Sequence, residues 1–344
     1  MSLTLALAFL LGGVVLLFAG AEALVHGSVK LGVRFRMSPA LVGITMVSLG
    51  TSLPELVVCL MAAVRGSPDL AVGNVLGSNM ANVGLILGFT ALLRPLRMTR
   101  PMLRRELPLM LLVTVILFPI LVDGWIARWE GAVLLGILVA YLALLARAIG
   151  RGANQGDGGL AELPGDLPVP LPKEVVQKGS PSARAGPGES GEASRPALGG
   201  NLLLAAGGSV LLVLGGHGIV EGAVELGAAF GISDLLMGLS VLALGTSLPE
   251  LATSVVAALK GETEIAVGNV VGSNLFNLTM VLGGTALVSP IAVAPHVLRA
   301  EYPVVLALSL LIIPVAWTGR RMVRGEGLLL LAAYGLCWAW ILSV

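Results

Sequence analysis

Charge is scarce in this chain of 344 residues: only 12% are charged, with 21 Lys and Arg against 20 Asp and Glu for a net charge of +1. So small a balance gives no electrostatic footprint for a nucleic acid or other polyanion. Three histidines and two cysteines leave no framework for a zinc site or a disulfide scaffold. Cys59 and Cys337 each fall inside an apolar run, where a cysteine acts as a small buried hydrophobe. Aromatic residues are 4%, whereas hydrophobic residues reach 56% and gather in long runs rather than amphipathic stripes. That is the composition of a polytopic membrane protein.

Runs of spanning length, about 17 to 25 residues each, are expected near 4–28, 38–64, 70–93, 103–122 and 127–149. A second set is expected near 199–226, 233–259, 265–288, 300–318 and 325–343. The first run lacks a basic leader and reads as a retained helix, not a signal peptide. The intervening segment is rich in Gly, Pro, Ser and charge, too polar to bury a core, and reads as a solvated, disordered linker. The expected organisation is a first five-helix unit over 1–149, a linker over 150–198 and a second five-helix unit over 199–344.

The two units are copies. Gly50 to Gly88 returns as Gly245 to Gly283 with more than half of the aligned positions identical, and Gly20, Gly27 and Gly32 face Gly215, Gly222 and Gly227. An odd number of spans per copy makes the second enter the membrane from the opposite side, so the repeats are inverted. With the amino terminus outside, all of the 21 Lys and Arg except Arg65, Arg128 and Arg299 fall on the inner side. The positive-inside rule therefore predicts external termini and a cytoplasmic linker. The basic cluster from Arg94 to Arg105 serves this topology and is placed to meet anionic lipid.

Each copy sets a Pro-Glu pair, Pro54-Glu55 and Pro249-Glu250, inside an apolar run. Thr51, Ser52 and Glu55 share one helical face at i, i+1 and i+4, and Thr246, Ser247 and Glu250 repeat the pattern. Pro54 offers no N–H to the Gly50 carbonyl and Pro249 none to Gly245, so each helix is expected to kink or break there and release backbone oxygens. In the next helix Asn74, Ser78 and Asn82 recur at four-residue intervals, mirrored by Asn269, Ser273 and Asn277. Asn74, Asn79, Asn269 and Asn274 suit hydrogen bonds between packed helices. Glu22 with His26, and His217 with Glu221, form i, i+4 pairs that read as locally satisfied.

Carboxylates at membrane depth are expensive, at about 2.5–3.5 kcal/mol on insertion scales. An all-oxygen set with two negative charges selects a hard cation. Calcium takes about six to eight oxygens near 2.3–2.6 Å, magnesium keeps its waters more firmly, and sodium can use the same hydroxyls and carbonyls. Emptying such a site leaves two buried like charges, a physical route to obligatory exchange.

GTSLPE at Gly50–Glu55 and Gly245–Glu250, followed by GNVLGSN and GNVVGSN, resembles the repeats of sodium/calcium exchangers in the cation/calcium antiporter superfamily. The resemblance covers nearly the whole chain outside the linker. It implies an all-α fold of ten transmembrane helices in two inverted five-helix repeats, exchanging sodium for calcium across the cell membrane by alternating access. It maps the central calcium-binding glutamates to Glu55 and Glu250. The remaining ligands map to Thr51, Ser52, Thr246 and Ser247, to backbone carbonyls around Ser48 and Ala243, and to Ser78, Asn82, Ser273 and Asn277. Potassium-dependent relatives carry Asp where this chain has Asn277, which argues against potassium co-transport. The linker is too short for the calcium-sensing domains of animal relatives. Calcium and sodium are cargo, and neither a resident cofactor, an enzymatic activity nor an obligatory protein partner is expected. Read without the resemblance, the residues also admit calcium/proton exchange or a cation channel. An intramembrane hydrolase built on Ser52 and Glu55 lacks a nearby His or Lys base.

Overall fold

The computed structural model describes residues 3–64, 69–154, 198–229, 245–317 and 319–341. These are almost wholly helical. Helix α1 is Leu3–Arg34. Helix α2 starts at Pro39–Val42, with Ser38 as its N-cap and Pro39 in its first turn, passes through a π-helical segment Gly43–Val47 and continues as Ser48–Val64. Helix α3 joins Asp69–Met80, a π-helical Ala81–Leu87 and Gly88–Leu93. Helix α4 joins Met102–Glu106 to Leu107–Leu121, and α5 is Arg128–Asn154.

The second half repeats the order. Helix α6 is Leu198–Ala229 and α7 is Leu248–Leu259. Helix α8 joins Thr263–Phe276, a π-helical Asn277–Val281 and Leu282–Val288. Helix α9 joins Pro295–Arg299 to Glu301–Trp317, and α10 is Arg324–Ile341.

Among the described residues seven helices are long and apolar enough to cross a membrane, running Thr4–Arg34, Pro39–Val64, Ala71–Leu93, Arg128–Ile149, Leu198–Gly222, Thr263–Val288 and Pro295–Val315. The protein is a multi-pass membrane protein. The expected span at 233–259 lies partly outside the described residues, as does most of the expected linker, and the carbonyl at Ala243 lies outside them too. The expected spans at 103–122 and 325–343 are helical over Leu107–Leu121 and Arg324–Ile341.

Small residues decide which helices sit at the centre. Helix α8 is 94% buried over its span and α3 78%, against 22% for α5. Gly, Ala, Ser and Asn along α3 and α8 leave room for neighbours on every side.

Contacts between the halves are exchanged in pairs. A Cβ placed on Gly13 would lie 2.7 Å from the Gly215 carbonyl oxygen, and one on Gly20 would lie 2.8 Å from that of Gly208. Because Gly208 and Gly215 are the repeat counterparts of Gly13 and Gly20, α1 and α6 cross antiparallel about a pseudo-two-fold axis. The same exchange relates Gly131 against Gly283 to Gly88 against Gly327. Two short antiparallel ladders repeat it again. Strand β1 (Leu96–Arg97) pairs with β4 (Arg321–Met322), placing Leu96 opposite Met322. Strand β2 (Trp125–Ile126) pairs with β3 (Ile291–Ala292), placing Ile126 opposite Ile291.

The turn after α7 shows how one connection is fixed. Gly261 adopts φ +91°, a conformation that favours glycine, and ends the helix. The Arg94 guanidinium reaches from the end of α3 to donate to the carbonyls of Ala258 and Leu259 at 3.3 and 3.1 Å. Both are last-turn acceptors, and although the Ala258 carbonyl also accepts the Gly261 N–H at 3.0 Å, a cation there adds hydrogen bonds and complements the helix dipole.

Candidate functional site

The two Pro-Glu motifs lie on α2 and α7, each packed against α8. The expected break is missing at the first proline and present at the second. Helix α2 runs unbroken from Ser48 to Val64 through Pro54; the irregular backbone is the π-helical segment Gly43–Val47 just upstream. Pro54 therefore sits inside a continuous helix without an N–H to give the Gly50 carbonyl. In the second copy the helix is interrupted at Ser247, whose φ of −89° and ψ of 0° leave the α region, and Pro249 occupies the first turn of the new helix. There a proline costs nothing, because a first-turn N–H has no intrahelical acceptor. The copies therefore share a sequence but differ in backbone.

Around the motifs the polar side chains meet in crossed pairs. Thr51 Oγ1 on α2 donates to Asn269 Oδ1 of α8 at 3.2 Å and lies 3.3 Å from Ser273 Oγ. Thr246 Oγ1, just before the break that precedes α7, donates to Asn74 Oδ1 of α3 at 3.2 Å and lies 3.4 Å from Ser78 Oγ. Each half thus places its threonine against the other half's Asn-Ser pair. Ser48 adds a further link, with its hydroxyl 2.8 Å from the Gly43 carbonyl and 2.9 Å from that of Asn269, while its own carbonyl accepts from Thr51 at 3.3 Å. Asn74 and Asn269 make the expected hydrogen bonds between packed helices, and do so in part through Thr246 and Thr51. Their four-residue spacing from Ser78 and Ser273 was the available signal.

The crossed pairing does not extend to every polar counterpart. Asn82 Nδ2 donates to Asn274 Oδ1 at 2.9 Å, but neither amide atom of its counterpart Asn277 has a partner.

Four glutamates are buried among the described residues, and they divide sharply. Glu106 is bound by Tyr141 and by Arg105 Nε at 2.6 Å, and Glu130 accepts the Ala127 N–H at 2.8 Å. Glu55 and Glu250 are both fully buried, and none of their four carboxylate oxygens has a hydrogen-bond partner. The hydroxyls of Thr51 and Ser273 lie toward Glu250 without closing such a bond, and the two carboxylates are within electrostatic reach of each other. The hydroxyls of Ser52 and Ser247, both buried, are unpartnered as well. A buried polar atom left unpaired costs about 1–3 kcal/mol and an uncompensated buried charge more, so such a cluster is intolerable unless another group satisfies it.

The donor chemistry is narrow. No group of three His, Cys, Asp or Glu converges among the described residues, so the site is two carboxylates among neutral hydroxyl and amide oxygens. That set suits a hard cation. Of the two expected local pairs, His217 lies 4.0 Å from Glu221 on α6, whereas Glu22 reaches across to Lys260 at 2.7 Å.

A multi-pass helical protein with two copies of one motif crossing at a buried polar centre falls in the class of membrane transporters. The chain belongs to the sodium/calcium exchanger protein family, whose pattern matches residues 5–147 and 200–343. It is 38% identical over 329 residues to the putative antiporter CaxA of Alkalimonas amylolytica, covering 95% of each chain. It is also 38% identical over 338 residues to the inner membrane protein YrbG of Escherichia coli, covering 96% of this chain and 94% of the relative. A solved structure of the sodium-calcium exchanger NCX_Mj superposes with a TM-score of 0.77 at 27% identity, covering 98% of this chain and 99% of that one.

Proposed function

We propose that the protein exchanges sodium for calcium across the cell membrane by alternating access to a midplane site between Glu55 and Glu250. The observation that carries this reading is the pair of fully buried carboxylates whose four oxygens have no protein partner, where the other buried glutamates among the described residues, Glu106 and Glu130, have one. A divalent cation would neutralise both charges. Thr51, Ser52, Ser78 and Asn82 would add oxygens from the first half, Thr246, Ser247, Ser273 and Asn277 from the second, and the backbone around Ser48 and Ala243 would complete the set. Sodium ions would use the same hydroxyls and carbonyls, so that the two cargoes exclude one another.

In this reading ten spans form two inverted five-helix repeats, over 1–149 and 199–344, with 150–198 a cytoplasmic linker and both termini external. The exchanged contacts of α1 with α6, and of the two short ladders, support the inversion. Helices α2, α3, α7 and α8 would hold the site while others rock or slide to open it to each side. The likeness to a sodium-calcium exchanger structure supports sodium as the counter-ion. A second reading, calcium/proton exchange with Glu55 and Glu250 taking protons in place of sodium, follows from the same unpaired carboxylates.

Competition binding tests the single-site claim. In the purified chain, added sodium should displace calcium competitively, raising the apparent calcium Kd without changing the number of sites. Calcium and sodium bound together at independent sites would overturn it.

A further inference from the structure

Cys59 stands one helical turn beyond Glu55 on α2, on the same face. The corresponding position in the second half, one turn beyond Glu250, is Ser254. Both side chains are buried, and each receives a hydrogen bond from the asparagine that also holds a site threonine. Asn269 Nδ2 donates to Ser254 Oγ at 3.0 Å, and Asn74 Nδ2 donates to Cys59 Sγ at 3.4 Å. The pseudo-two-fold site therefore has hydroxyl oxygen on one flank and sulfur on the other. Cys59 is also within electrostatic reach of Glu55, whose two buried oxygens have no partner.

We propose that Glu55, Cys59 and the Asn74 amide form a binding site for a soft divalent cation of calcium's size, cadmium being the probe, on the first-half flank of the cargo site. A calcium ion gains nothing from sulfur, whereas a soft cation bonds thiolate far better than hydroxyl. Carboxylate and sulfur one turn apart on one helix face can close on a single ion. The thiol proton leaves to solvent as the metal–sulfur bond forms. Such an ion would occupy Glu55 and bar calcium, so the protein should be blocked by cadmium through one side of its site only. The inference rests on the reading of Glu55 as a cargo ligand.

The test uses the purified full-length chain carrying Cys337→Ser, which leaves Cys59 as its one thiol. Cadmium should produce an ultraviolet sulfur-to-cadmium charge-transfer band, and excess calcium should abolish it. Cys59→Ser should remove the band and weaken cadmium inhibition of calcium flux about 10- to 100-fold, the usual effect of losing a group that supports a metal site. Glu55→Gln, with Cys59 intact, should weaken cadmium binding by a similar factor. Absence of the band in the single-thiol protein would overturn the proposal without depending on how any Cys59 variant folds. A band that persists under excess calcium would overturn it too, since the thiol would then bind cadmium without Glu55. Sodium-driven calcium flux with no band refutes this inference alone, and a calcium-sensitive band without such flux refutes the exchange reading alone.

Discussion

Replacing Glu250 with glutamine should have opposite effects with and without calcium. The amide keeps the side chain's shape but removes one of two buried negative charges, in a site where neither carboxylate has a protein partner. With calcium bound, removing one partner of a buried charge pair costs about 3–5 kcal/mol. At ~1.36 kcal/mol per decade, that is a loss of roughly 10²- to 10⁴-fold in calcium affinity. Without ions the sign reverses. Glu250 is then a buried carboxyl with no protein partner, so Glu250→Gln should raise the stability of the ion-free protein by on the order of 1–3 kcal/mol. Thermal unfolding of the detergent-purified chain, with and without calcium, reads both effects. At calcium a hundredfold above its Kd the wild type should gain about 2.7 kcal/mol, whereas the variant at the same concentration should gain at most about 0.4 kcal/mol. Undiminished calcium stabilisation of Glu250→Gln would refute the ligand assignment. An ion-free variant that melts well below wild type would refute the claim that the carboxylate is an uncompensated burden there.

Ser52→Ala removes a buried hydroxyl with no protein partner, so the ion-free melting temperature should hold or rise while calcium affinity, measured by titration, falls roughly fivefold for about 1 kcal/mol. Asn277→Asp adds a third uncompensated buried carboxylate. The ion-free protein should lose on the order of a few kcal/mol, and calcium flux in vesicles should become more sensitive to acid, since the new carboxyl loses its charge as pH falls. Gly20→Val forces a Cβ to within 2.8 Å of the Gly208 oxygen and the Leu212 nitrogen, backbone atoms that cannot turn away, and should destabilise the α1–α6 crossing by about 1–3 kcal/mol. Gly12→Ala on the same helix meets nothing within 4 Å, and its melting temperature should stay near wild type.

The architecture was legible where it depends on local repetition. The duplication itself could be read from Gly50–Gly88 against Gly245–Gly283 and from the aligned glycines, whereas the crossing of α1 and α6 through Gly13, Gly20, Gly208 and Gly215 emerges only in the fold. The side chains at the Pro-Glu motifs were legible for the same reason, since helical spacing alone puts Thr51, Ser52 and Glu55 together. What the sequence hid depends on partners distant in the chain. Nothing local distinguishes Pro54, carried inside a continuous helix behind a π-helical segment, from Pro249, set at the start of a new one. Likewise Asn82 and Asn277 occupy equivalent positions, yet Asn82 is bonded to Asn274 and Asn277 to nothing, a difference that arises only when α3 and α8 are packed. The ladders of β1 with β4 and β2 with β3 are too short for any periodicity to announce them.

Calcium uptake into vesicles containing only this protein, under imposed sodium, potassium or proton gradients, tests the central claim most directly. An outward sodium gradient should drive calcium in, a potassium gradient should not replace it, and Glu55→Gln should abolish the uptake. Calcium uptake driven by a pH gradient in sodium-free vesicles would contradict sodium exchange and make protons the counter-ion.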